Sequence, residues 1–316
     1  MYLCSQIRLF FLMRKTKWIV LFLLVLLYRV DTMAYTRLTA DLHHFVSIDG
    51  ALGYSSLLND SSLVQPGNGT SAHIGFGYRM LYNNFLFSTG LEMQYLYNAF
   101  SMGNAKLDLK MIDTEADPFT LHVDASDGKD WVHSMSINIP LLIGSEFKRF
   151  YFLAGPKLSL NVWNQTQATS KMVTTATYDR YIEDFENMPH HSLGEYDLMS
   201  ETERLDWEID VMAHLEVGMR LGNFSFETGG DIPKPKQRFY IALYADYGLL
   251  NLNASSGKAY RLGYEQPSGE PLRVFLTPAL MSKELSGVKI NQFTFGVKAT
   301  ILFELPKKGK CVMCEL

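Results

Sequence analysis

Phe293-Thr294-Phe295-Gly296-Val297-Lys298-Ala299-Thr300-Ile301 decides the reading of this chain. Apolar residues hold the odd positions, while threonine, glycine and a lysine hold the even ones. Successive side chains of a strand point to opposite faces, so one face of this segment is hydrocarbon and the other is polar. Met135-Ser136-Ile137-Asn138-Ile139-Pro140-Leu141 repeats the alternation, as does Ile209 to Met219 with Asp210, His214 and Glu216 on its polar face. A strand that shows one face to lipid and the other to a polar interior is the unit of a transmembrane β-barrel. The expected fold is therefore all-β, an eight-stranded transmembrane antiparallel β-barrel with long extracellular loops.

The eight strands fall at 45–57, 70–81, 85–97, 132–144, 149–162, 207–221, 238–251 and 290–304. An even number brings both termini out on one side. Tyr82-Asn83-Asn84 and Ser145-Glu146-Phe147-Lys148 are short connectors, whereas 98–131, 163–206 and 252–289 are long. The first connector, 58–69, is shorter and rich in Asn, Asp, Ser and Gly. Short turns on the periplasmic side and long loops at the cell surface follow. The sixth connector, Gly222 to Gln237, is irregular. Phe224 and Phe226 continue the alternation with opposite parity, so a bulge near Gly222 is expected to reset the register. Pro233 and Pro235 then interrupt any ladder. Lys106 to Lys110 and Phe119 to Val123 read as paired strand extensions within the second long loop.

Parity assigns the interior. With Leu91, Ile137, Phe152, Leu215, Leu243 and Phe295 towards lipid, the opposite face carries His73, His214 and a set of opposed charges. That set is Asp49, Arg79, Glu92, Lys157, Asp210, Glu216, Arg220, Asp246 and Lys298. Isolated charges in such an interior are costly, so these carboxylates and bases are expected to pair with one another and with water. Glycines such as Gly53, Gly75, Gly90 and Gly296 share that face and leave room for the long side chains. Phe76, Tyr78, Tyr95, Phe150, Phe239 and Tyr247 face outward, as interfacial girdles require. A soluble sandwich with its large residues packed inside is the competing fold, and it would turn the charges outward.

The chain has 316 residues, 13% of them aromatic, and a net charge of −4, enough for one substantial domain and no indication of a nucleic-acid partner. Arg14, Lys15 and Lys17 precede the apolar run Trp18 to Tyr28 and then Thr32-Met33-Ala34. This is the pattern of a secretory signal cut after Ala34, with Met13 as the start and residues 1–12 untranslated. The domains are then a signal at 1–34, a barrel at 35–305 and a periplasmic tail at 306–316. Cys311-Val312-Met313-Cys314 lacks the second pair of a zinc framework and reads as an inert or disulfide-closed tail. Asp124 to Asp130 has its glycine one place early for a calcium loop, and Met135 stands where the closing Glu belongs, so an ordinary turn is expected. No phosphate loop or nucleotide-binding unit is present. No cofactor and no metal site are expected.

Several segments resemble the Bacteroidetes outer-membrane β-barrel family, the PorT-like or porin-family proteins. They are Gly53-Tyr54-Ser55-Ser56-Leu57-Leu58, Gly75-Phe76-Gly77-Tyr78-Arg79 and Thr89-Gly90-Leu91-Glu92, then Ile139-Pro140-Leu141-Leu142-Ile143-Gly144 with Phe152-Leu153-Ala154-Gly155-Pro156-Lys157. The resemblance spans about residues 40–305. It implies the outer membrane of a Gram-negative cell but no single activity. Relatives called porins and relatives associated with secretion machinery share the pattern. The thirteen residues after Phe303 depart from the terminal aromatic common in such proteins.

The expected function is a non-enzymatic outer-membrane barrel, plugged by its own charges. Its surface loops would serve interaction, adhesion, envelope organisation or a secretion-accessory role. Tyr97, Phe100 and Trp163 are the candidate loop contacts. Outer-membrane lipids, lipopolysaccharide and an extracellular or secretion-system protein are the expected partners. A small-solute channel lined by the same interior residues is the alternative. An outer-membrane lipid hydrolase would need His133-Ser134 or His190-His191-Ser192 to act as base and nucleophile. Adjacent strand residues point apart, which counts against the first pair.

Overall fold

The computed structural model describes residues 42–61, 64–113, 116–178, 184–186, 193–205, 209–224, 237–252, 259–265 and 272–305. The expected signal at 1–34, the tail at 306–316 with Cys311 and Cys314, the His190-His191-Ser192 group, Pro233 and Pro235 lie outside them. From His43 onward the chain is one compact unit.

Strands in chain order are β1 (Leu42–Asn59), β2 (Val64–Gln65), β3 (Gly69–Tyr82), β4 (Phe85–Met102), β5 (Ala105–Ile112), β6 (Pro118–Phe147), β7 (Phe150–Tyr178) and β8 (Asp184–Glu186). They continue as β9 (Gly194–Met199), β10 (Glu203–Arg204), β11 (Ile209–Phe224), β12 (Gln237–Gly248), β13 (Leu262–Glu265), β14 (Arg273–Leu276) and β15 (Ile290–Glu304). Two 3-10 turns, Ala279–Met281 and Lys283–Leu285, precede β15.

Eight of these strands form a hydrogen-bonded ring in the order β7-β11-β12-β15-β1-β3-β4-β6, with β6 pairing back onto β7. Asn83-Asn84 and Lys148-Arg149 are two-residue hairpin loops, and Asn83 and Lys148 carry the positive φ (52° and 58°) that such loops demand. The register of β11 on β12 slips between Arg220 and Gly222, where opposed phenylalanine parity required a bulge.

The expected eight-stranded transmembrane barrel with long loops is corrected by the sheet's actual topology. The sheet has thirteen strands and branches, and its hydrogen-bonded path runs on past the ring to end at β10 and β5. A closed barrel has no edges; this sheet keeps them. β6 and β7 are 30 and 29 residues long, about three times what a membrane-crossing strand needs. They stay paired from Phe147–Phe150 at the turn out to Phe119–Tyr178. The supposed loops at 98–131 and 163–206 are therefore largely strand. β5 extends the sheet from β6, with Leu107 opposite Val123 and Leu109 opposite Leu121, and β8, β9 and β10 line the outer part of β7. The description of 35–305 as a plain barrel of transmembrane strands gives way to a strand ring that carries a strand-built platform at one end.

The segment Asp124 to Asp130 is also strand rather than turn. A bulge between Ser126 and Lys129, with Asp127 at φ 51°, absorbs its turn-forming residues.

Apolar layers close the ring interior above and below. Phe45, Leu86, Leu142, Leu153 and Leu302 pack at the hairpin end, and Leu57, Phe100, Val132, Leu280 and Ile290 at the platform end. A third cluster, built on Leu109, Leu121, Val123 and Ala176, holds the platform together. Gly53 faces Gly296 across the β1–β15 ladder. A Cβ at Gly53 would lie 2.5 Å from the Phe295 carbonyl oxygen and 2.8 Å from the Tyr244 hydroxyl, so its absence lets Tyr244 cross the interior.

Candidate functional site

Between the two apolar layers lies a cluster of charges supplied by seven of the eight ring strands. The alternation of each strand turns these side chains inward. Lys298 on β15 reaches Glu92 at 3.0 Å, Glu216 at 3.3 Å and Asp49 at 3.4 Å. Lys157 on β7 reaches Glu92 at 2.8 Å and Asp246 at 3.2 Å. Arg79 on β3 lies 3.5 Å from Glu216 and sits over the rings of Tyr151 and Tyr240. The Tyr151 hydroxyl donates to Glu216 at 2.5 Å, and the Thr294 hydroxyl to Asp246 at 3.2 Å. Lys157 and Glu216 are fully buried.

Four carboxylates (Asp49, Glu92, Glu216, Asp246) face three permanent cations (Arg79, Lys157, Lys298). His214 stands between two of the carboxylates: Nδ1 lies 2.5 Å from Asp246 and Nε2 lies 3.4 Å from Glu216. A protonated imidazole offers two donors and would bring the cluster to neutrality, whereas a neutral one offers a single donor.

Two residues of the expected interior network stand outside it. Asp210 accepts the Leu250 amide at 3.2 Å and tethers a turn. Arg220 pairs with Glu146 at 3.2 Å at the half-exposed hairpin end. Parity gave their face but not their height in the ring. Among the described residues, Asp49, His73 and Glu92 alone bring three metal-capable ligand atoms within 4.8 Å of one another. Lys298 already lies against both carboxylates and Lys157 against Glu92. A divalent cation there would meet two ammonium groups, so the trio reads as ion-paired carboxylates beside a histidine.

The buried, mutually paired charges occupy the interior that the channel alternative assigns to a hydrated path. His133 and Ser134 point to opposite faces, His133 among Tyr95, Tyr97 and Trp163 outside, and Ser134 inward to Asn164 at 2.7 Å.

The loop-contact candidates separate. Phe100 is buried in the platform-end apolar layer. Tyr97 packs on His133 at 5.0 Å between centroids, and Trp163 flanks the same ring at 6.4 Å. These belong to an aromatic group on the outer face of β4, β6 and β7. Every ring strand exposes large apolar side chains there, including Leu52, Phe76, Leu91, Ile143, Phe150, Leu215, Leu243 and Val297.

A second buried polar site escaped sequence reasoning. Asp130, on β6 at the platform end of the ring, is fully buried beneath the two 3-10 turns. It accepts the Ala279 amide at 2.5 Å and lies 3.5 Å from the Arg261 guanidinium. Burial pushes its carboxyl up to about 6, against the opposing pull of Arg261 and the amide. Burial likewise draws Arg261 below its ordinary value. Nothing in the local sequence links Asp130 to an arginine 131 positions away.

No protein-family model matches this chain, and no curated protein does. The solved structures distantly similar to it include the following three. Neisserial surface protein A (NspA) is 12% identical over 82% of this chain and 96% of its own, with a TM-score of 0.26. Ail, the attachment invasion locus protein of Yersinia pestis, in a complex with the heparin analogue sucrose octasulfate, is 9% identical over 82% and 98%, with a TM-score of 0.22. A deltaS2 mutant of the monoaromatic hydrocarbon channel TodX is 6% identical over 84% and 90%, with a TM-score of 0.17.

Proposed function

We propose that this protein is a non-catalytic scaffold of the cell envelope, seated in the outer membrane of a Gram-negative cell, which holds a strand-built platform for a macromolecular partner. One observation carries this reading. Large apolar side chains are exposed on all eight ring strands, on the face opposite the buried charges. Water-soluble monomers rarely expose a continuous apolar patch beyond a few hundred Å². Lipid acyl chains cover such a belt without cost, and Tyr95, Trp163 and Tyr247 suit the headgroup level. The segments around Gly75, Pro140 and Lys157 that resemble Bacteroidetes outer-membrane proteins belong with the same reading. Lipid and lipopolysaccharide are then its immediate neighbours. The platform, stiffened by the paired outer halves of β6 and β7, is the surface offered to an extracellular or secretion-system protein. In this reading the cluster serves stability, since its carboxylates and cations are ion-paired with one another.

Fractionation of cells expressing the full chain tests the location. Recovery with the outer membrane after an alkaline carbonate wash supports it, and recovery in the soluble fraction refutes it. Limited proteolysis of the purified protein in lipid then tests the platform, which is expected to resist cleavage between 118 and 178. Rapid cleavage there would return that region to a pair of loops.

A further inference from the structure

The two 3-10 turns at Ala279–Met281 and Lys283–Leu285 lie over the platform end of the ring. Leu280 and Leu285 are almost fully buried and pack with Leu57, Phe100, Val132 and Ile290. Between them, Ser282 is fully buried and donates to the Ala279 carbonyl at 2.8 Å. Lys283 donates its amide to Ala259 at 2.9 Å, and Glu284 approaches the Arg261 amide at 3.4 Å. The turns therefore close the ring through side-chain packing and a few polar ties. The tie to the ring wall itself is Asp130.

That tie is poorly suited to a charged carboxylate. Ionised carboxylates are stable in a protein interior when several donors satisfy both oxygens. Here Oδ2 accepts one amide, while Oδ1 has no hydrogen-bond partner among the described residues and faces Arg261 only at 3.5 Å. Both terminal nitrogens of Arg261 are also buried without a hydrogen-bond partner. Opposite Asp130 on the flanking strands stand Phe100 and Ala168, neither of them charged. Arg261, with Glu284 behind it, is thus the charged company that Asp130 has from the elements around it.

We propose that Ala279–Leu285 is a releasable cap on the ring, latched by Asp130, which closes when this carboxyl group is neutral and loosens when it is charged. With the cap lifted, Asp130 is solvated and titrates near its ordinary value of 3.8; with the cap closed it titrates near 6. Acid therefore favours closure, and closure weakens as pH rises through about 6. Somewhat more than two pKa units of difference correspond to about a hundredfold change in the ratio of closed to open cap.

The test uses the full chain in lipid with Cys4→Ser, Cys311→Ser and Cys314→Ser, so that an introduced cysteine is the sole thiol. Ser282→Cys places a near-isosteric thiol under the cap, and Ile112→Cys provides an exposed reference on β5. The rate of reaction with dithiodipyridine is measured for each from pH 4 to pH 8, and the ratio of the two rates removes the thiol's own titration. The ratio is expected to rise about a hundredfold with a midpoint near pH 6. With Asp130→Asn added, the ratio should stay at its acid value throughout. A flat ratio with Asp130 present, or the same rise with Asn in its place, would overturn the proposal. Should Ser282→Cys fold poorly, amide exchange of Ser282 and Leu285, referenced to Ile112, gives the same comparison in the unsubstituted chain.

Discussion

Replacing Lys298 with methionine is the sharpest perturbation of the buried cluster. The change keeps most of the side-chain volume and removes the ammonium, so the cavity contribution is small and the charge effect dominates. Three carboxylates lose a partner, but unequally. Glu92 keeps Lys157 at 2.8 Å, and Glu216 keeps Arg79 and the Tyr151 hydroxyl. Among the described residues Asp49 is left with His73, at 3.6 Å, as its ion-pair partner. Removing one partner of a buried ion pair typically costs about 3–5 kcal/mol. With two of the three acids still served, a loss of about 3 kcal/mol is expected for Lys298→Met. That is a large share of the roughly 5–15 kcal/mol that holds a domain folded. Adding Asp49→Asn removes the orphaned charge and should restore part of the loss, with a coupling of about 1–3 kcal/mol in the double-mutant cycle. Equilibrium unfolding in urea, followed by tryptophan fluorescence of the protein refolded into lipid, reads both quantities. A single mutant within 1 kcal/mol of the parent, or no coupling to Asp49→Asn, would refute the view that Lys298 centres a mutually dependent network.

Gly53→Ala should destabilise the protein by about 1–3 kcal/mol in the same assay, because its Cβ meets backbone at 2.5 Å and the Tyr244 hydroxyl at 2.8 Å. Adding Tyr244→Phe removes the hydroxyl contact but not the backbone one, so recovery should be partial. Val297→Arg places a charge on the exposed apolar belt. It should weaken refolding into lipid by about 2–4 kcal/mol, whereas Ile112→Arg on the platform should leave it unchanged. Asp130 gives stability a pH dependence of definite sign. Its carboxyl titrates near 6 when folded and 3.8 when unfolded, so its contribution is complete below pH 3.8 and is lost as pH rises through about 6. The difference is about 3 kcal/mol, and Asp130→Asn should flatten this part of the stability profile between pH 4 and pH 7.

The ring was legible because its strands alternate under two constraints at once, apolar outside and charged inside. Lys298 between Val297 and Ala299 has only one face on which it can be paired. The same parity turned Glu92, Lys157 and Glu216 inward. The bulge at Gly222 was legible because the even positions of Phe224 and Phe226 oppose the odd outward positions that precede them, and the register does shift between Arg220 and Gly222. The platform was not. Its strands are rich in threonine mixed with apolar residues, as in Val173-Thr174-Thr175-Ala176-Thr177-Tyr178, and that composition also suits a loop. β-branched threonine fits a pleated surface well, and pairing partners decide between the two states. Ending the third expected strand at Tyr97 likewise made Phe100 a loop residue, although its even position continues the inward series of Glu92, Gln94 and Leu96. Asp210 and Arg220 show a different limit. Alternation fixes a face, whereas pairing depends on height along tilted strands, which register alone supplies.

The most direct test of the account is a nitroxide scan along β15, from Phe293 to Ile301, in the protein reconstituted into bilayers. Accessibility to oxygen, which concentrates in lipid, is compared at each site with accessibility to a water-soluble nickel chelate. Phe295, Val297 and Ala299 are expected to show high oxygen accessibility, and Gly296 and Lys298 low accessibility to both probes, with a strict two-residue period. Nickel accessibility at Phe295 and Val297 matching that of an exposed platform site such as Ile112 would put the belt in water and contradict it.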